Sequence, residues 1–455
     1  MRPDLNLPSA FRGTDRSEFW YALLVGCLGL GLLWSRAPFA TSNFYAEDGV
    51  SFFSDARSFG LFDSLKEPVA GYFHFIPRLI GAMSAQVPIA KAPLVTGLLV
   101  LLIVTWVNMT IYLASNQILA VRWHRALLAL SVTLLPIVGF ESISNSTNLH
   151  FILVCASMVV LMGSQQTPWR RFNDSVLVVV TGLSTPLALA LLPVAGYRWW
   201  RDQRSEVARS MSLVVVGWAL GTAGQFGSMV ILGQGSGRWG GDPGVARSPA
   251  KTVFLLLERV FGYNFLPFWP RISAEDYSHG VTSALLVRAL VLGAIGGALT
   301  VFVLRSVRVG LRRKETIQVL SVAVFISVGI GYWLFLATMF SAEPRYAIFP
   351  AFCVLYALLA SVEIYTGPGR KKGEGEWPKV LLVPLIVVVA FASHWTPSKI
   401  RSDGPTWSAG LHVATEDCRS GEVMTANIPI IPTYADWNVE LDCEELLEAV
   451  GGIQP

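Results

Sequence analysis

Long apolar runs separated by short polar joints recur along almost the whole chain. The runs are Phe19 to Trp34, Ala92 to Leu113, Ala126 to Phe140, Leu149 to Gly163, Met211 to Leu232, Ala284 to Leu304, Ile317 to Phe340, Ile348 to Tyr365 and Val380 to Phe391. They approach the roughly 20 apolar residues that carry a helix across a hydrocarbon core of about 30 Å. The pattern predicts an all-α polytopic membrane protein with about nine transmembrane helices. A membrane-spanning barrel is excluded, because its strands would be short and alternating.

Basic residues cluster near the start, at Arg122 to Arg125, at Arg170 and Arg171, from Arg305 to Lys314 and from Arg370 to Lys379. Cations flanking spans mark the cytoplasmic side, and nine crossings put every cluster there. The apolar stretch Val176 to Tyr197 resists a simple crossing, since Arg170 and Arg171 precede it and Arg198, Arg201 and Arg204 follow it. Its middle, Thr181-Gly182-Leu183-Ser184-Thr185-Pro186, supplies a break. The expected arrangement is therefore a re-entrant helical hairpin whose freed backbone groups are shielded by protein. The alternative, a single kinked crossing, would invert everything downstream.

This topology gives a transmembrane domain, residues 1-393, and a small extracytoplasmic C-terminal cap, residues 394-455. Two more polar regions face outside, a first outer loop at 37-91 and a second at 233-282. Val50 to Arg57 and Tyr72 to Ile80 mix aromatic and charged residues in the manner of helices lying in the interface. Val253 to Phe261 is a shorter amphipathic run, and Glu422 to Ile428 and Asn438 to Leu441 alternate as strands do. No internal repeat or glycine-rich phosphate loop stands out, which argues against an ATP-driven machine.

Composition agrees with the pattern: of 455 residues 53% are hydrophobic and 15% charged, with 15 Trp and a mean hydropathy of +0.51, where soluble domains carry about a quarter charged. The net charge of +4 lies in the flanking clusters, so it orients the chain and gives no support to a nucleic-acid partner. Residues 1 to 18 are polar and the run after them is long enough to span, so it reads as a retained first helix rather than a cleaved signal. Cys27, Cys155 and Cys353 lie in apolar runs as small core residues. Cys418 and Cys443 lie in the cap, where an oxidising compartment would let them pair.

Candidate chemistry gathers on the outer side. Glu47 and Asp48 are adjacent carboxylates just beyond the first span, and neighbouring acids that are partly buried form a setting for a general base. A solvated Glu-Asp-Gly turn is the plainer reading. His74 and Arg78, one helical turn apart, share that loop. Glu343-Pro344-Arg345-Tyr346 lies where the seventh crossing emerges. A guanidinium there suits a phosphate, and interfacial anchoring is its plainer role. Arg288 is a second cation just inside its helix on the same side, where it would meet a cavity or snorkel to the surface. Asn148 and His150 read as helix-end structure. Trp239, Tyr263 and Trp269 would stack on sugar rings or belong to the interfacial belt. No CxxC or HExxH metal signature is present, and Glu47 with Asp48 is by itself a weak divalent-cation site.

Together these features resemble the GT-C superfamily of integral-membrane glycosyltransferases. The resemblance rests on Glu47 and Asp48 in the first outer loop, the late Glu343-Pro344-Arg345-Tyr346, and the interrupted helix at Gly182 to Pro186. It covers the architecture from Phe19 to Tyr365, and departs from the family in placing Glu before Asp. The resemblance implies transfer of a sugar, usually with inversion, from a polyprenyl-phosphate donor to a glycan, lipid or protein acceptor at the outer face of the bilayer. It implies Asp48 as base with Glu47 orienting the acceptor or taking that role. Arg345 would hold the phosphate, helped by Arg288, Arg78 and Tyr346, with His74 and Glu343 also counted among the substrate-binding residues. No cofactor is required, and a divalent cation is compatible. The preference for Arg over Lys suits a bacterial inner (plasma) membrane with the site facing outside the cytoplasm. Three rivals stand beside it: a transporter or flippase of lipid-linked saccharide, a polymerase or ligase of cell-envelope polysaccharide, and a structural scaffold. Donor sugar, acceptor and linkage are not encoded in these motifs.

Overall fold

The computed structural model describes residues 15–67, 69–163, 167–203, 208–231, 249–270, 283–339, 343–366, 377–395, 404–433 and 437–451. Most of the second outer loop, with Trp239, lies outside them. The long helices are α1 (Asp15–Arg36), α2 (Phe75–Ala85), α3 (Ala92–Ala114), α4 (Arg122–Leu134), α5 (Leu149–Met162), α6 (Pro168–Ser184), α7 (Leu192–Gln203), α8 (Ala208–Ile231), α9 (Ser283–Arg312), α10 (Thr316–Met339), α11 (Ile348–Thr366) and α12 (Trp377–Ser393). The cap follows as α13 (Trp407–Ser420), β1 (Thr425–Pro429), β2 (Asn438–Asp442) and α14 (Cys443–Gly451).

Six helices among the described residues are long and apolar enough to cross a membrane: α1, α3, α8, α9, α10 and α11. The chain is a multi-pass membrane protein. Other runs read as crossings from their hydropathy form shorter helices. The 13 residues of α4 and 14 of α5 reach only about 20 Å. For α4 the cause is local: Pro136 holds Leu135 extended (ψ 126°), ending the helix six positions before the apolar run ends at Phe140.

The centre is built from α5 and α11, which are apolar on every side and buried almost throughout. α11 packs against α4, α5, α9 and α10, while α9 turns Leu286, Leu290 and Leu304 outward. Between the halves of the expected hairpin, Thr185 is extended and Pro186 opens a short 3-10 turn, Pro186–Leu191. Beyond it, Arg201 donates to the carbonyls of Met162 (3.0 Å) and Gly163 (2.9 Å), and Arg198 to that of Leu161 (3.4 Å). The end of α7 thus caps the C-terminal end of α5, the end at which α6 begins, and the guanidinium charges suit those unpaired carbonyls. The break itself reaches the first outer loop: the Ser184 hydroxyl accepts from the Ile76 N–H at 3.2 Å.

In the cap, β1 and β2 pair antiparallel with Ala426 opposite Leu441 and Ile428 opposite Val439, buried and exposed residues alternating. Cys418 and Cys443 are bonded, joining α13 to α14 across a separation of 25 residues. A crosslink of that span contributes on the order of 3 kcal/mol through the unfolded state. The cap is not a detached appendage. Its core of Trp407, Ile428, Val439 and Leu441 is continuous with Phe44, Phe53 and Ile89 of the first outer loop.

Candidate active site

The acidic motif begins a π-helical turn, Asp48–Phe53, that follows α1 after a run of tight turns. Two neighbours shape it. The backbone of α2 runs so close that a Cβ on Gly81 would meet the Phe52 carbonyl at 2.3 Å. On the other side a Cβ on Gly49 would meet Ile430 and Val439 of the cap at 2.8 and 2.9 Å. The glycine of Glu-Asp-Gly is therefore a close-approach residue rather than the hinge of a solvated turn. Ala46, just before the acids, holds a left-handed φ of 44°, a conformation costing about 1–2 kcal/mol outside glycine.

Asp48 is buried and firmly held. Its carboxylate accepts from the Ser146 N–H (3.1 Å) and hydroxyl (2.6 Å) and from the Thr147 N–H and hydroxyl (both 3.2 Å). Such a cluster of donors ties the first outer loop to the turn before α5. Glu47, by contrast, is only half-buried. Electrostatically it bears on Tyr72, as do Arg345 and Tyr346. Groups far apart in the sequence thus act on one phenol.

Tyr72 is presented by a tight turn in which Ala70 (φ 51°) and Gly71 (φ 79°) bring its N–H to the Val69 carbonyl at 3.3 Å. Burial, then the neighbouring Tyr346, raises the Tyr72 phenol above its ordinary value; Arg345 opposes this and Glu47 adds to it. The phenol stays protonated and able to donate. His74 stacks on it at 3.9 Å, and His150 lies edge-on to both rings, 6.4 Å from Tyr72 and 6.2 Å from His74. Burial, then His150 and Arg78, pushes His74 well below the usual imidazole value against a raising contact with the Val69 backbone, so it is neutral at physiological pH. Arg345 also acts on His150.

Arg345 and Tyr346 sit in a 3-10 turn, Pro344–Ala347, that leads into α11. The guanidinium lies 5.6 Å from the centre of the Tyr346 ring, which meets Phe151 edge-on at 5.8 Å. Glu343 starts that turn, its carbonyl accepting the Tyr346 N–H at 3.1 Å. The same turn packs against the π-helical segment Leu257–Gly262 of the second outer loop.

Two cations expected at the site are engaged elsewhere. Arg78 is wholly buried, bonded to Asp55 (2.6 Å) and the Glu67 carbonyl (2.7 Å) and stacked over Phe52. It braces the first outer loop from beneath. Arg288 pairs with the buried Glu258 and donates to the Pro270 carbonyl at 2.6 Å, its guanidinium over Trp269. Trp269 in turn donates to Glu258 at 3.1 Å and is half-buried, and Tyr263 is buried. Arg78 and Arg288 thus each brace their own loop through an acidic partner, Asp55 and Glu258 respectively.

Tyr72 and His150 belong to the site and escaped the motif reading. Tyr72 carried only an aromatic-interface signal, and His150 read as a helix end. Among the described residues no three His, Cys, Asp or Glu side chains gather as a metal site requires. A cavity of about 190 Å³ lies at the far end of α1, α3 and α5, lined by Phe19, Trp106, Arg170, Asn173 and Asp174 among others. None of the acidic-motif residues lines it. No protein-family model matches the chain, and no curated protein matches it in sequence.

Proposed function

We propose that the chain is a polyprenyl-phosphate-sugar-dependent glycosyltransferase of the GT-C type, acting on the extracytoplasmic side of a bacterial inner membrane. The observation that carries the reading is that Tyr72, packed against His74 and His150, feels both Glu47 and Arg345, an acid and a cation far apart in the sequence.

The chemistry follows from their environments. Asp48 is held chiefly through Oδ1 by the Ser146 and Thr147 donors, so its role is to anchor the motif. The more open Glu47 takes the proton of the acceptor hydroxyl as that oxygen attacks the anomeric carbon. The bond from that carbon to the phosphate oxygen breaks, and the lipid phosphate leaves beside Arg345, whose fixed charge stabilises it. Tyr72 donates toward the same anion. Neutral His74 and His150 form the wall behind Tyr72. The donor already holds the activated bond, so no cofactor enters these steps.

The topology proposed from sequence fits this placement. The re-entrant pairing of α6 and α7, which the nine-crossing topology requires, is supported by the return of α7 to the end of α5 at which α6 begins. Under that topology the acids, Arg345 and the disulfide-bonded cap all lie outside, where an oxidising compartment keeps Cys418 and Cys443 paired.

The test is reconstitution in proteoliposomes with a panel of radiolabelled polyprenyl-phosphate hexoses and pentoses, after mass spectrometry of co-purified lipid has guided the choice. Loss of a base of this kind costs about 10²–10⁴ in rate, so Glu47→Gln is expected to lose transfer while still binding the lipid. Labelled lipid crossing the bilayer with its sugar bond intact, and equally in Glu47→Gln, would favour the transport reading instead.

A further inference from the structure

We propose that the C-terminal cap is a working part of this site and that Ile431 and Trp407 are positioning residues for the Glu47–Asp48 pair. The proposal rests on the reading of those acids as the reacting motif.

The segment leading into the acids takes its backbone partners from the cap. The Ile431 N–H donates to the Phe44 carbonyl at 3.2 Å, and the Ala46 N–H donates to the Ile431 carbonyl at 2.6 Å, forming a short parallel bridge centred on Tyr45. Two residues upstream the Trp407 N–H donates to the Ser42 carbonyl at 2.9 Å and Asn43 Nδ2 to the Pro405 carbonyl at 2.6 Å. Tyr45, Ala46 and Ile431 form a small buried cluster of their own, with Trp437 against it. The Trp407 indole meets the Phe44 ring edge-on at 5.1 Å and donates to the Ile89 carbonyl at 2.8 Å.

These contacts fall where the chain most needs an external hold. Ala46 occupies a left-handed conformation, which persists only where surrounding structure over-determines it. Its N–H donates to the Ile431 carbonyl. Gly49, on the far side of the acids, has Ile430 and Val439 seated against it. Asp48 is pinned to Ser146 and Thr147, and the cap grips the chain both before and after it. Glu47 therefore takes its direction from two clamps, one of them made by residues 404–451. The Cys418–Cys443 bond closes the core that carries Trp407, Ile428 and Val439, so cap closure and site geometry are linked.

Amide hydrogen exchange on the full-length protein in lipid nanodiscs tests this without any substrate. The variants are Trp407→Ala, Trp407→Phe and the Cys418→Ser/Cys443→Ser pair. Trp407→Ala and the serine pair are expected to speed exchange at the Ala46, Asp48 and Gly49 amides by about tenfold or more, with α5 and α11 unchanged, as expected when one cooperative unit loosens alone. Trp407→Phe keeps the ring contact with Phe44 and is expected to restore most of the protection. In the transfer assay the loosened variants lower kcat while KM for the polyprenyl-phosphate sugar holds. Unchanged exchange at Ala46 to Gly49 while β1 and β2 lose protection would overturn the proposal. Should the serine pair also loosen α11, Trp407→Ala against Trp407→Phe decides. If the variants show these exchange effects while the wild type transfers no sugar, the cap coupling stands and the enzymatic reading falls, so the two fail separately.

Discussion

At the scale of single residues, the two acids of the motif have different work. Asp48 faces four donor groups on Ser146 and Thr147, and Asp48→Asn would turn an amide N–H toward at least one of them. Leaving such buried donors unsatisfied costs about 1–3 kcal/mol, so this variant is expected to melt at a clearly lower temperature. Glu47 is more open, and Glu47→Gln is expected to shift stability by no more than about 0.5 kcal/mol while abolishing transfer. Melting curves beside activity separate the two roles, and equal losses of stability would contradict the division.

His74 supplies a pH dependence. Its folded-state value lies well below the 6.5 of a free imidazole, so below that pH the unfolded chain gains a proton that the folded chain refuses. Stability is full above about pH 6.5 and falls as the medium is acidified. The melting midpoint of the wild type is expected to drop between pH 7 and pH 5, and His74→Gln to show a shallower drop. A slope that the substitution leaves untouched would assign the effect to other groups. Of the residues around His74, the sequence made the acids and Arg345 legible because charge at a span boundary is conspicuous. It could not separate Arg78 and Arg288 from them, since their partners Asp55 and Glu258 are chosen by folding. Tyr72 was silent because a buried phenol and an interfacial one are written alike.

At the scale of elements, hydropathy located the runs well and their ends poorly. The first span extends to Arg36 and begins at Asp15, beyond both ends of its apolar run, because helices continue through flanking polar turns. Ala126 to Phe140 fails as one helix at Pro136, a break visible in the sequence but outweighed by the apolar count. The alternating stretches of the cap emerge as β1 and β2 within a few residues, whereas their docking on Phe44 to Ala46 has no periodic signature. The hairpin can be tested directly with a membrane-impermeant thiol reagent on sealed right-side-out vesicles. Arg171→Cys, Trp200→Cys and Lys314→Cys are expected to stay unlabelled, and Ser408→Cys on the cap to be labelled. Labelling at Trp200 or Lys314 would replace the hairpin with a single crossing.

At the scale of the whole molecule, the fold sets two polar ends against an apolar centre. At one end Glu18 joins Arg122 (3.1 Å) and Arg125 (2.9 Å), and Glu363 holds His124 at 2.7 Å along with the Ala120 and Val121 N–H groups. Those pairs satisfy one another and lock α1, α4 and α11 together. At the other end Tyr72, His74 and His150 stack together beside the acids that the cap holds, and Arg345 and Glu47 both act on the Tyr72 phenol. The proposed transfer reaction places its reacting groups at this second end. That placement is measured most directly by a structure of the protein in nanodiscs with a polyprenyl-phosphate sugar bound. The account predicts the phosphate within hydrogen-bonding distance of the Arg345 guanidinium and the anomeric carbon between it and Glu47; a phosphate seated instead at the cavity beside Phe19, Trp106 and Arg170, with Glu47 sealed from ligand, would contradict it.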